Sequence, residues 1–426
     1  MKAFRWALNT AGFLIETSCY LRTQSASSQT LLRNYEALKT KMRIEEIRVR
    51  TAGIQSSIRN AFISFEEMTL SVVRIRVVKG GHPLCGYGFC SNGRYSQDEI
   101  ISKRFAPRIL SAPPDMLLDE DGVPDPFKIW NVFMQNEKPG GHGDRAVAAG
   151  ALDMAVWDLT SKIREMPLWC LLSENYNGGK SDEEVLVYPG GGYYYPGKEI
   201  KGLQDEFRGY LDQGYRYLKM KIGGESLNTD MKRIEAAARV MEGPEFLAVD
   251  ANARFNLNKA KEYGRAMEPL RLFWYEEPLD PEDFDGHARL VESYEPSLAT
   301  GENLFSRHSV RNLLRHGGLR SDRDWIQLDP ALAYGLTEYL RVIQLVEEHG
   351  WSRRRLIPHG GHQLSLNIAA GLQTGGSESY PGVFQPFGGF ADDIPVIKGY
   401  TRPHDTPGLG IERKRELHEK ILELMD

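Results

Sequence analysis

The amino-acid sequence predicts a closed barrel of parallel β/α units preceded by a separate α+β domain, and two observations carry that prediction. From Val185 onward, short apolar runs alternate with helix-length segments seven or eight times in about 210 residues. That alternation is the pattern of parallel β/α units, and this many units close a barrel more readily than they extend an open sheet. In addition, Lys221, Asp250, Glu276, Glu302, Asp329 and His359 follow one another at 29, 26, 26, 27 and 30 residues. Each sits at the C-terminal end of its predicted strand, which is where barrel active sites are built.

Taken in order, the first 41 residues stand apart, with six Lys/Arg against Glu16 and Glu36, a serine cluster SASS and no strong period. They are expected to form a poorly structured extension ahead of Met42. The competing reading is a transit peptide, on the strength of their Arg- and Ser-containing, acid-poor composition. In residues 42–180, IEEIRVRTA and MTLSVVRIRVV alternate apolar and polar residues as half-buried antiparallel strands do, with loop-like IQSSIRNAFISF between them. GYGFCSNGRYS reads as a polar loop and ISKRFAPRILSAPP and PDPFKIWNVFMQNE as helices. DRAVAAGALDMAVWDLTSKI reads as an apolar helix whose small residues permit close packing. Polar loops suit this α+β domain to covering something.

Residues 181–393 supply the barrel. Its strands are VLVYPG, YLKMKIG, FLAVDAN, LFWYEEP, SLATGE, DWIQLD and RLIPHG, and its helices span 197–212, 229–241, 257–267, 281–292, 306–315, 335–348 and 364–372. Residues 394–426 lose the alternation and end in the amphipathic ERKRELHEKILELM, expected to pack back on the first domain.

Composition excludes several functions. The formal charge is −5 and no Lys/Arg block is long enough for a nucleic-acid patch. No run of 18 apolar residues suggests a membrane span. Cys19, Cys85, Cys90 and Cys170 lack metal-binding spacing and read as reduced thiols of a cytoplasmic protein, or a mitochondrial one if the extension is a transit peptide.

The strand-end residues define the chemistry. Asp250, Glu276 and Glu302 would point into one mouth, where their repulsion is tolerable only with a cation between them. Oxygen-only ligation favours Mg2+, with positions left for water and an anionic substrate. Of Glu276 and Glu277, adjacent on a strand, only one should reach the mouth. Lys219 and Lys221, two apart, share a face, and a lysine beside another cation and a metal has its pKa lowered enough to act as a general base. Asp329 can hold one nitrogen of His359, which favours His359 over His362 as the active histidine. A base, an opposing acid and a metal suit abstraction of a proton next to a carboxylate, leaving racemisation and β-elimination of water both open.

KMK, VDAN, YEEP and TGEN, with the Asp329 and His359 pair, resemble the enolase superfamily in its mandelate racemase and muconate lactonizing enzyme branch. The resemblance implies a modified TIM barrel, (β/α)7β, under an N-terminal α+β capping domain completed by the C-terminal segment, with Mg2+ on Asp250, Glu276 and Glu302. Within that branch, IRNAFISF, GFCSNGRY, NEKPGGHGDRAV, PGGGYYYPGK and IPHGGHQLSLNIAAGL look closest to D-tartrate dehydratases, which convert D-tartrate to oxaloacetate. This implies Lys221 as the base and His359, supported by Asp329, as the acid, with Lys219 lowering the pKa of Lys221. It also implies Asn60, Asn92, Lys138, Tyr195, Glu378 and Ser379 as substrate-binding residues, and a homo-oligomer. Turn chemistry is the competing reading of the Asn and Ser residues. Another sugar-acid dehydratase, an epimerase, or a catalytically silent ligand-binding barrel are the alternatives. The extension and Cys90 depart from the family pattern.

Overall fold

The structure, a computed structural model, describes residues 42–54, 56–90, 97–195 and 197–426. The expected extension, and with it the transit-peptide reading, lies outside the described residues, as does Asn92. No helix among the described residues is long and apolar enough to cross a membrane.

The N-terminal domain is an antiparallel sheet in the order β1 (Arg43–Gly53), β2 (Thr69–Lys79), β3 (His82–Phe89). The β2–β3 hairpin turns on Gly80 and Gly81, at φ 60° and 89°, a two-residue loop whose backbone conformation glycine adopts without strain. The helices α1 (Pro126–Phe133), α2 (Asp144–Ile163) and α3 (Leu168–Tyr176) follow. α2 is buried nearly all round because its small residues admit backbone on two sides. A Cβ at Gly86 or Gly88 of β3 would fall 2.2 Å from Ala155 O or 2.3 Å from Ala151 O, and one at Gly150 would fall 2.2 Å from Ala331 O in the barrel. The helix thus cements sheet to barrel.

The barrel strands are β4 (Val185–Gly191), β5 (Leu218–Lys221), β6 (Leu247–Asp250), β7 (Tyr275–Glu276), β8 (Leu298–Thr300), β9 (Trp325–Ile326) and β10 (Ser377–Ser379), parallel in the order β10-β4-β5-β6-β7-β8-β9. Helices α4 (Ile200–Asp212), α5 (Leu227–Ala238), α6 (Leu257–Met267), α7 (Phe284–Val291), α8 (Arg307–His316), α9 (Leu336–Glu348) and α10 (Gln363–Leu372) connect them. The expected strand RLIPHG is reduced to a bridge between Leu356 and Ile326, since Pro358 has no amide to extend the ladder. It still closes the ring, because Ile357 N donates to Ile326 O at 2.9 Å and Gly375 N to Leu356 O at 2.8 Å. Seven helices between eight strand positions make the (β/α)7β barrel.

Alternation sorts the strand residues. Leu218, Met220, Leu247, Val249, Tyr275 and Leu298 pack outward against the helices. Tyr188, Ala248, Trp274, Ala299 and Ile357 fill the barrel floor, and the charged strand-end residues stand above them. The tail adds a short strand, β11 (Tyr400–Thr401), that pairs antiparallel with β4. It then completes the cap with α11 (Arg415–Met425), where Met425 O accepts from Arg48 of β1 and His418 packs edge-on against Tyr87 of β3.

Candidate active site

Register places the site. Lys221 pairs with Asp250 and Asp250 with Glu276 across β5, β6 and β7, so all three emerge at one level of the mouth. One oxygen each from Asp250, Glu276 and Glu302 lies within 4.8 Å of the others. Trp274 Nε1 and Gln327 Nε2 donate to Glu276 Oε2 at 2.7 and 3.0 Å, which leaves Oε1 toward the cluster. Asn252 N donates to Asp250 Oδ1 at 2.8 Å.

Lys219, fully buried, lies 2.5 Å from Glu276 Oε1, 2.9 Å from Glu378 Oε1 and 3.6 Å from Asp250 Oδ2. Lys221 Nζ lies 2.5 Å from Asp250 Oδ2. Burial favours the neutral amine of Lys221, but the Asp250 carboxylate outweighs burial and the Lys219 charge and raises its pKa. The lowering expected from Lys219 together with a bound metal is thus opposed by Asp250.

On the opposite wall, His359 Nδ1 meets Asp329 Oδ2 at 2.8 Å, and Asp329 Oδ1 accepts from Ala331 N and Leu332 N at 2.7 and 3.1 Å. His359 Nε2 lies 3.2 Å from each of Glu302 Oε2, Glu378 Oε2 and the Tyr380 hydroxyl. Burial opposes its charge, yet Glu302, Glu378 and Asp329 together lift its pKa to about 10. His362 is the opposite case. It packs edge-on against Phe89, and burial pushes it down to about 4.

The donor set fits a divalent cation. Asp250, Glu276, Glu302, Asp329 and Glu378 face Lys219, Lys221 and His359, so carboxylates outnumber the basic groups at the mouth. Burial and the carboxylates of Asp250, Glu302 and Glu378 push Glu276 up to about 8 in spite of Lys219, a repulsion that an ion relieves.

The expectations for Glu277 and Ser379 are corrected here. Strand alternation does not carry Glu277 away from the cluster, because it follows the strand end at φ 37°. Its Oε2 accepts from Asn303 Nδ2, which also donates to Glu302 Oε1. Burial and its acidic neighbours, Glu302 first, raise its pKa. Ser379 faces out of the barrel, its hydroxyl 2.8 Å from that of Tyr215, since Glu378 occupies the inward phase of β10. Asn60 Oδ1 accepts from Phe62 N and Ile63 N at 2.8 and 2.6 Å, the turn chemistry that competed with a binding role. Lys138 is exposed on the loop between α1 and α2. Tyr195 lines a cavity of about 440 Å3 beside the mouth, with Arg59, Tyr193 and Lys198. Glu378 is more central than expected, pairing with both Lys219 and His359. Gln327, Trp274 and Tyr380 were missed, although strand phase relative to Glu276 and Glu378 would have pointed two of them inward or close to the mouth.

A model of the enolase C-terminal domain-like family matches residues 202–417, and one of the mandelate racemase / muconate lactonizing enzyme N-terminal domain matches residues 44–173. An arabinonate dehydratase from Saccharolobus solfataricus is 30% identical over 69% of this chain and 77% of its own. A 3,6-anhydro-alpha-L-galactonate cycloisomerase from Streptomyces coelicolor is 29% identical over 84% and 92%. Among solved structures, a Streptomyces coelicolor racemase with bound magnesium superposes with a TM-score of 0.73 at 25% identity over 90% of this chain and 99% of its own. An L-talarate dehydratase from Polaromonas sp. JS666, complexed with Mg and L-glucarate, does so at 0.71 and 26% over 87% and 94%. With both domain models matched in order and the carboxylate set in place, the chain belongs to the enolase superfamily, in its mandelate racemase and muconate lactonizing enzyme branch.

Proposed function

We propose that the protein is a Mg2+-dependent acid-sugar dehydratase in which Lys221 removes the α-proton of a sugar acid and His359 protonates the departing β-hydroxyl. The observation that carries this reading is the placement of Lys221 Nζ and His359 Nε2 on opposite walls, above one set of carboxylates. The relatives add weight, since an arabinonate, an L-talarate/galactarate and a D-gluconate dehydratase are each 30% identical or more over half of this chain or more.

Asp250, Glu276 and Glu302 would hold Mg2+, which would supply positive charge to offset the charge developing on the substrate's carboxylate. Lys221 takes the proton from the α-carbon, and Lys219 holds a second positive charge at the floor of the site. Asp329 fixes His359 through Nδ1, so Nε2 faces the β-carbon and gives its proton as the C–O bond breaks. Water leaves, and the enol that remains takes a proton at the former β-carbon and gives up its hydroxyl proton to become the 2-keto acid.

Within the sugar acids, D-tartrate, yielding oxaloacetate, is the finer reading, and it rests on the sequence motifs. Asn60, Asn92, Lys138 and Tyr195 are the side chains proposed to contact it, with Glu378. The test is a panel of tartrate stereoisomers, aldonates and aldarates incubated with purified protein and Mg2+, assayed for 2-keto acid. Product from D-tartrate supports the finer reading. Product only from other acids replaces D-tartrate, and none from any of them overturns the dehydratase.

A further inference from the structure

We infer that Tyr380 is a positioning residue for the proton-donating nitrogen of His359, an inference that rests on the acid role proposed above. With Nδ1 committed to Asp329, Nε2 is the nitrogen left to meet the leaving hydroxyl. Glu302 Oε2 and Glu378 Oε2 compete for it from equal distances of 3.2 Å. The Tyr380 hydroxyl, also 3.2 Å from Nε2, donates to Glu378 Oε2 at 3.0 Å. It ties the nitrogen and that carboxylate together and fixes the direction in which Nε2 points. A hydroxyl both donates and accepts. The same oxygen can therefore accept from a protonated Nε2 or donate to a bare one, holding the ring still in either case.

The phenol is itself held rigidly. Its ring lies in a slot between glycines, for a Cβ at Gly361 would fall 2.5 Å from Tyr380 Cδ2, and one at Gly190 would fall 2.8 Å from Cε1. Phe384 packs across it at 5.2 Å. Its amide donates to Gly361 O at 3.2 Å, on the loop just after His359. Its carbonyl accepts from Gln385 Nε2 at 2.8 Å. A residue needed only to fill the slot would be satisfied by phenylalanine. Here the hydroxyl reaches the charged mouth from a side chain only 3% exposed.

Tyr380→Phe keeps the ring and removes the contact, and is measured against a sugar acid that the wild-type protein dehydrates. The expected result is a fall in kcat for keto-acid formation of about 10- to 100-fold with KM within about twofold. Exchange of the substrate's α-hydrogen in D2O should stay within about threefold of wild type, because the lysine wall is intact. An unchanged kcat overturns the inference. So does an equal fall in exchange and dehydration, which would make Tyr380 a support of the whole mouth. If the wild-type protein exchanges the α-hydrogen but dehydrates nothing, the acid role of His359 fails first and Tyr380 loses its function with it.

Discussion

The two walls of the mouth hold the nitrogens proposed to move protons differently. Lys221 leans on Asp250, a member of the carboxylate set suited to a metal, whereas His359 leans on Asp329, which lies outside that set. A metal on Asp250 would therefore act directly on Lys221, while Asp329 fixes the orientation of His359 through Nδ1 from outside that set, with Glu302 of the set reaching Nε2 at 3.2 Å. In the proposed reaction the first wall takes a proton and the second gives one.

The largest effect should follow from Lys221→Ala, which removes the base and is expected to lower keto-acid formation about a thousandfold or more. Retained turnover would assign the abstraction to another group. Asp329→Asn and Asp250→Asn set the two supporting carboxylates against each other. Asp250→Asn should weaken Mg2+ binding at least about tenfold by calorimetry, while Asp329→Asn should leave it within about twofold and lower kcat about 10- to 100-fold. Equal losses of metal affinity in both would erase the distinction between the walls.

Sequence spacing reached the lysine wall and half of the histidine wall. Asp250, Glu276 and Glu302 were legible because a strand and a helix repeat at a nearly constant length, and Lys219 and Lys221 because a strand alternates. Glu378 and Tyr380 were not, since their partners come from β4, β5 and the loop after His359, and only closure of the ring through β10 brings these together. In the three-residue β10, a phase error of one residue exchanges Glu378 for Ser379, and alternation turns only Glu378 toward the mouth. Glu277 escaped the alternation rule because its positive φ places it beyond the strand. Asn60 Oδ1 accepts within a turn, as Asn in a loop commonly does.

The smallest effect lies away from both walls, at the seam where α2 meets α9. Asp153 accepts from Thr337 Oγ1 and N at 2.6 and 3.0 Å, and burial pushes its pKa up to about 7. A raised carboxyl pKa contributes stability that is full below the unfolded value near 3.8 and is lost as pH rises through about 7. Asp153→Asn should therefore flatten the decline of Tm across that window and leave catalysis unchanged. An unaltered Tm profile would mean that Asp153 is ionised in the folded protein.

The division of labour between the walls is tested most directly by α-hydrogen exchange in D2O with the His359→Asn protein, Mg2+ and a sugar acid that the wild type dehydrates. Exchange should persist while keto-acid formation falls by about a hundredfold or more. Loss of exchange in His359→Asn, with exchange surviving in Lys221→Ala, would reverse the roles of the two walls.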